Sequence, residues 1–281
     1  MFEATSARGP LALRTTVVGA LVAVTLWSAS VTFLWSNELH LVYRRPHLPR
    51  LVLGEGLVEL RTTDGITLDA VSLVHDTRAR YWILFCASSR GTIHHSVRGE
   101  LARLHEAGYN VFAFDYRGYG RNPGTPSEAG LYEDALTAYR HITRELAVEP
   151  QRIILAGRSL GSAVAVDLAT RVPSGGLLLL SAIDSVPAVA SRMYFWAPVR
   201  LLASQQFDSL AKAPRVSAPV LQVHATDDSM VPIRAARALF RQFPGRKSLL
   251  ELSGSHSDVG IGEEDDSLGR ALATFWPSRE Q

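Results

Sequence analysis

The sequence predicts an α/β fold, a mostly parallel sheet with helices on both faces, preceded by one apolar N-terminal helix. Three observations predict it. From Gly56 onward short apolar runs alternate with amphipathic stretches, the rhythm of βαβ units with right-handed crossovers. Those runs are almost continuously apolar, as strands covered on both faces must be. One uncharged stretch, Thr15 to Trp35, is set apart from all that follows.

That stretch reads "TTVVGALVAVTLWSASVTFLW", without charge or proline. It is long enough to cross a hydrocarbon core of roughly 30 Å as a helix. It divides the chain into an N-terminal tail (1–14), a transmembrane anchor (15–35), a linker (36–55) and a globular domain (56–281). Trp27 lies within the stretch, and Trp35 with Tyr43 suits an interfacial aromatic anchor. A cleaved signal peptide is the competing reading, cut after Ser28, Ala29 and Ser30 to release a secreted or periplasmic domain. The apolar "VTFLW" beyond that point favours an uncleaved, single-pass membrane anchor. Arg8 and Arg14 on one side face Arg44, Arg45 and Arg50 on the other, so the positive-inside rule assigns no orientation. Pro46 and Pro49 interrupt any continuing helix, which makes this segment a linker.

In the globular part, "LVELRTTDGITLDAVSLV" predicts two strands around Asp64-Gly65, a strong hairpin signal. "YWILFC" and "NVFAFD" predict strands, with a helix from Val97 to Ala107 between them that Gly108 ends. A helix follows over Leu131–Leu146, then a strand at "RIILAG" and a helix over Ser159–Arg171. "GLLLLS" and "PVLQVH" are further strands. A helix over Ile233–Phe243, a strand at "KSLLEL" and a helix over Asp265–Phe275 complete the domain. Between Asp184 and Ala218 the rhythm breaks into the aromatic "SRMYFWAPVRLLASQQF". This predicts a small cap, at about 184–218, over the carboxyl ends of the strands.

Composition excludes some functions. The 281 residues are 47% hydrophobic and 20% charged, ordinary for a globular chain. The formal net charge is +2, and without a dense basic patch the counterion-release drive that nucleic-acid binding needs is weak. The single cysteine, Cys86, rules out an internal disulfide and a cysteine metal cluster. It reads as a small buried hydrophobe rather than a reactive thiol.

The chemistry begins at Gly157-Arg158-Ser159-Leu160-Gly161. G-x-S-x-G alone arises by chance in roughly one chain in ten of this length; an apolar strand directly before it and a small-residue helix directly after make it informative. A serine on a sharp strand-to-helix turn is an exposed nucleophile, with glycine two residues to either side where side chains would clash. The free N–H groups of the following helix aim at developing negative charge. A serine hydroxyl needs a base, and the expected chain order is serine, acid, histidine. "VLQVHATDDSMVP" offers Asp227 and Asp228 just after a strand, Asp184 is a third acid, and "LLELSGSHSDVG" offers His256 after the last strand. His256 would take the Ser159 proton, and the acid would orient the imidazole. His224 reads as a structural strand-end residue. His94 and His95, near the expected mouth, cannot both point into it.

With these residues the chain resembles the α/β-hydrolase superfamily from about Gly56 to Pro277. "NVFAFDYRGYGRNPGTPSEAGLYEDA" and "GRSLGSAVA" look like single-pass, membrane-anchored serine hydrolases whose animal relatives include protein depalmitoylases. The resemblance implies an ester or thioester hydrolase with an acyl-enzyme intermediate. It implies Asp228 as the acid, three residues before the Val231-Pro232 turn, and His256 as the base in "GSHSDV". It implies an oxyanion hole from the backbone N–H groups of Ser88 and Leu160, and neither metal nor organic cofactor. One departure stands out. The family carries His-Gly and a small polar residue after the strand reading "YWILF"; here "CASSRGT" puts Cys86 and Ala87 there, with one extra residue before Ile93. An alanine where glycine adopts positive φ would shift the backbone, and one lost oxyanion donor costs about 100- to 1,000-fold in turnover. The expected substrate is a small-molecule or lipid-like acyl ester or thioester at a membrane. A peptidase or amidase on the same residues, and a non-catalytic binding protein on a hydrolase fold, are the competing readings.

Overall fold

A computed structural model describes residues 9–45, 56–75, 79–96, 99–257, 259 and 267–277. Arg8, Pro46, Pro49, Arg50 and Asp265 lie outside the described residues.

Helix α1 (Gly9–Ser36) is one continuous helix. Its stretch from Arg14 to Ser36 has no residue buried against the rest of the protein. The short α2 (Glu38–Val42) follows directly. The segment after it departs from a free linker. Tyr43 is only 1% exposed, its hydroxyl donates to Gln205 Oε1 at 2.5 Å, and its ring meets Phe207 edge-on. Arg44 N–H donates to Ser89 O at 3.1 Å. Tyr43 is therefore a core residue rather than an interfacial anchor, because a buried partner waits for both its ring and its hydroxyl.

The strands are β1 (Leu57–Arg61), β2 (Thr67–Leu73), β3 (Trp82–Cys86), β4 (Asn110–Phe114), β5 (Ile153–Arg158), β6 (Gly176–Leu180), β7 (Val220–Ala225) and β8 (Lys247–Leu252). They form one eight-stranded sheet in the order β1-β2-β4-β3-β5-β6-β7-β8. The β1–β2 and β2–β4 pairs are antiparallel; every pair from β4–β3 to β7–β8 is parallel. Strands β3 to β7 are buried at every residue, which is why their sequences lack a period-two polar face.

Between strands lie α3 (Ile93–Ser96) and α4 (Glu100–Glu106), α5 (Glu128–Arg144), α6 (Leu160–Ala169), α7 (Val186–Met193), α8 (Val199–Leu202), α9 (Ser209–Lys212) and α10 (Ile233–Gln242); α11 (Ser267–Phe275) follows β8. The helix predicted at Val97–Ala107 starts at Glu100, after Gly99, with α3 a separate turn before it. Helix α5 starts three residues before the predicted Leu131, because the Ser127 side chain caps it by accepting from Gly130 N–H.

The long signature after β4 is held by charge. Arg117, 7% exposed, donates from Nε to Asp134 Oδ1 at 2.9 Å and from Nη1 to Asp64 Oδ2 at 2.7 Å. It thereby pins the loop to α5 and to the β1–β2 turn. At the end of β4, Asp115 Oδ1 accepts the Ile93 N–H at 2.7 Å and fixes the exit of the "CASSRGT" loop. Burial raises the Asp115 carboxyl to about 7; the Ile93 N–H opposes the rise and Asp69 adds to it.

Below about pH 4 the carboxyl is protonated in both the folded and unfolded chain, and stability is greatest. As pH rises from about 4 through about 7, the unfolded chain ionises and the folded one resists, so stability falls by up to about 1.4 kcal/mol per unit. The Asp115→Asn variant keeps the acceptor for Ile93 and should lose this slope. Urea melts at pH 5 and pH 8 should show the variant gaining on the parent at the higher pH; parallel curves would put the Asp115 carboxyl in its ordinary range.

Candidate active site

Ser159, Asp228 and His256 come from the carboxyl ends of β5, β7 and β8, where an open parallel sheet presents its ligand crevice. Ser159 caps α6 with φ 51° and ψ −117°, a conformation that costs a non-glycine residue of order 1–3 kcal/mol. The two glycines explain how it is held. A Cβ on Gly157 would stand 2.1 Å from Gly161 O, and one on Gly161 would stand 2.1 Å from Cys86 O. The strand, the turn and the β3 loop are therefore in backbone-to-backbone contact that only glycine permits. The Ser159 N–H donates to Leu180 O at 3.0 Å and ties the turn to β6.

The side chains form a continuous relay. Ser159 Oγ lies 2.9 Å from His256 Nε2, and His256 Nδ1 lies 2.6 Å from Asp228 Oδ2. With Nδ1–H donating to the carboxylate, Nε2 is left to accept the serine proton. Asp228 is 3% exposed. Its Oδ1 accepts from Met230 N–H at 2.9 Å and Val231 N–H at 2.8 Å. Burial alone would raise this carboxyl; hydrogen bonds from His224, His256 and the Val231 N–H outweigh it and hold Asp228 well below the usual carboxylate range. It is ionised, as an orienting anion must be.

The other candidates separate. Asp227 Oδ2 lies 3.2 Å from its neighbour Thr226 Oγ1 and 3.4 Å from the Gly254 N–H. Asp184 is paired with Arg192 of α7. His224, fully buried, has Nε2 2.8 Å from Val231 O and 3.3 Å from Asp228 Oδ2, so it braces the acid. Cys86 is buried, and burial pushes its thiol up to about 12, with a hydrogen bond to Tyr116 opposing.

Ser88 and Leu160 line the same cavity as Ser159 and His256. Leu160 is the first residue of α6, and first-turn N–H groups have no partner within their helix. Among the described residues, positive φ outside glycine occurs only at Ala147, Ser159, Ser181 and Phe207. Ala87 thus sits in ordinary backbone, and the loss of glycine there imposes no strain.

Two residues without a functional signal in the sequence hold the histidine loop. Arg158, 6% exposed, pairs with Glu100 and donates from Nη2 to the carbonyl of Ser257 and, at 3.3 Å, to that of His256. Ser181 Oγ donates to His256 O at 2.9 Å. Arg158 is a variable position of G-x-S-x-G, and its partners are 58 and 99 residues away; nothing local signals them.

The cavity measures about 290 Å³. Its walls are mostly aliphatic and include Ile183, Val186, Val189 and Met193 from the chain after β6 and Leu34, Leu41 and Val42 from α1 and α2. Among the described residues, no group of three or more His, Cys, Asp or Glu is placed to hold a metal ion.

A strand–serine–helix turn with a histidine and an acid from later strands of a parallel sheet defines a class, and comparison with known proteins agrees. A family model described as serine aminopeptidase, S33 matches residues 87–212. An uncharacterized protein of Mycobacterium tuberculosis is 36% identical over 270 residues, covering 93% of this chain and 92% of that relative. The α/β hydrolase domain-containing protein aho-3 of Caenorhabditis elegans is 35% identical over 153 residues, 54% of this chain and 45% of the relative. A Pyrococcus furiosus esterase superposes with a TM-score of 0.68 at 16% identity, over 82% of this chain and 96% of that one, a likeness of fold. The chain belongs to the α/β-hydrolase superfamily.

Proposed function

We propose that this chain is a membrane-anchored serine hydrolase that cleaves carboxylic ester or thioester bonds. The observation that carries it is the unbroken relay Asp228–His256–Ser159, with links of 2.6 and 2.9 Å, inside a cavity with aliphatic walls. Ser159 Oγ attacks the acyl carbon as its proton passes to His256 Nε2; the backbone N–H groups of Ser88 and Leu160 receive the oxyanion. Collapse transfers the proton from His256 to the leaving alcohol or thiol and leaves an acyl-enzyme. Water, deprotonated by His256, then attacks that ester, and the acid product and free Ser159 are released. No cofactor takes part.

The anchor reading rests on α1. Ser28, Ala29 and Ser30, where a signal peptide would be cut, lie inside a continuous helix, and Leu34 and Trp35 beyond them wall the cavity. The described charge favours an ester over a peptide with a free amino terminus. Glu38 lines the cavity, but both its oxygens are taken by Ser204 and Gln205, leaving it committed rather than waiting for an ammonium group.

A fluorophosphonate probe tests the reading. Detergent-solubilised full-length protein should label, and Ser159→Ala, which keeps the fold, should not. Folded parent protein that fails to label would end the hydrolase reading and favour a binding role on the same fold.

A further inference from the structure

The cap tip from Tyr194 to Leu202 leaves Phe195, Trp196 and Leu201 in the open. Phe195 is 85% exposed and Leu201 86%, and Trp196, Leu202 and the adjoining Met193 are exposed as well, an apolar grouping of the kind that marks an interaction surface. The segment reads "YFWAPVRLL": no acid, and one arginine, Arg200. It is not free of the N-terminal helix. Trp27 Nε1 donates to Trp196 O at 3.0 Å. Glu38 Oε1 accepts the N–H groups of Ser204 and Gln205 at 2.8 and 2.9 Å, and Oε2 accepts the Ser204 hydroxyl at 2.7 Å. The tip is clamped at a fixed level along α1.

That level decides its environment. Trp27 precedes the end of α1 by nine residues, about 13 Å along the axis at 1.5 Å per residue. The apolar span runs from Arg14 to Ser36, 23 residues, about 34 Å against a hydrocarbon core of roughly 30 Å. If everything from Trp27 onward stood in water, residues 14–26 would supply only about 20 Å, too short to cross, and extending the span back towards Gly9, where α1 begins, would place the Arg14 charge in the hydrocarbon. A helix that spans must therefore carry the tip into the hydrocarbon.

We propose that the cap tip is a second membrane-seated element, immersed in the leaflet on the hydrolase side, and that the cavity draws its substrate from that leaflet. This rests on the anchored-hydrolase reading above. The enclosing residues support it: Leu34 and Trp35 of α1 and Met193 and Leu202 of the cap wall the same cavity that holds Ser159 and His256. The substrate class is then a long-chain acyl ester or thioester resident in the bilayer, its chain passing from lipid to the relay without crossing water. Arg200, exposed in the same segment, is long enough to reach the phosphate level, as basic side chains at an interface do.

The test uses the full chain in vesicles of phosphatidylcholine with phosphatidylglycerol. An environment-sensitive fluorophore is attached in turn to Leu21→Cys, Phe195→Cys, Leu201→Cys and Glu149→Cys; Cys86 is buried and stays unlabelled. Lipids brominated on their acyl chains should quench Leu21→Cys, Phe195→Cys and Leu201→Cys and leave Glu149→Cys bright. Quenching at Leu21→Cys alone overturns the proposal while the anchor stands. No quenching at Leu21→Cys removes the anchor and the proposal with it. In a second arm, Phe195→Asp with Leu201→Asp should lower hydrolysis of a vesicle-borne long-chain ester about tenfold or more, because each acid is costly in hydrocarbon. Hydrolysis of a soluble short-chain ester should stay within about twofold. Equal loss on both substrates also overturns the proposal.

Discussion

With Asp228 replaced by asparagine, turnover should fall about 10⁴-fold with the fold intact. The local hydrogen bonds dictate the reason. Oδ1 accepts two backbone N–H groups, from Met230 and Val231, so the asparagine oxygen must occupy that place. Its NH₂ then takes the place of Oδ2, 2.6 Å from His256 Nδ1. A donor there forces Nδ1 to accept, and the imidazole proton moves to Nε2. Nε2, 2.9 Å from Ser159 Oγ, can no longer receive the serine proton. The loss should appear in kcat on a soluble ester, with KM little changed, since no substrate contact is removed. Fluorophosphonate labelling should slow in parallel. Asp227→Asn is the control, because Asp227 does not touch His256. If Asp228→Asn stays within tenfold of the parent, the relay does not carry the reaction.

Replacing Arg158 with methionine should destabilise the protein by about 3–5 kcal/mol, the usual cost of breaking a buried ion pair from one side. Glu100 would be left as the uncompensated partner. Burial already raises its carboxyl, and only the Arg158 charge and hydrogen bond oppose that. The carbonyls of His256 and Ser257 would lose their shared donor, so the relay should loosen together with the fold. Urea denaturation of Arg158→Met, Glu100→Gln and the double variant separates the two effects. The double variant should recover much of the stability, because no charge stays buried, but not the activity, because the histidine loop still lacks its clamp. Recovery of both would reduce Arg158 to a structural partner of Glu100.

The parts of this molecule that were legible in its sequence are those decided locally. Strands β3 to β7 are buried on both faces, and their unbroken apolar runs say so. The elbow was legible because its pattern spans five residues and the demand on Gly157 is answered within them, by Gly161 O; the demand on Gly161 comes from Cys86 O of β3. What depends on distant partners was not. The sequence left the choice between Asp227 and Asp228 open, since both occupy one turn; only the resemblance pointed to Asp228, and in the folded chain the Met230 and Val231 N–H groups fix which of them faces His256. Tyr43 has the composition of an interfacial residue, yet Gln205 and Phe207 draw it into the core. Arg158 carries no local signal at all. Ala87 shows the reverse case: a departure legible in sequence that the backbone accommodates without positive φ.

The junction at Tyr43 and Glu38 has a consequence for how such a molecule searches. A domain on a flexible tether sweeps a volume set by its leash, and soluble partners within reach compete for it. Here the tyrosine, the glutamate and the Arg44–Ser89 hydrogen bond turn the end of the helix into a stiff post. Held in a bilayer, the catalytic surface would keep one height and one tilt, and encounters would become two-dimensional. Its kinetics would then scale with the mole fraction of substrate in the lipid, and diluting the vesicles at constant lipid composition would leave the turnover per enzyme unchanged.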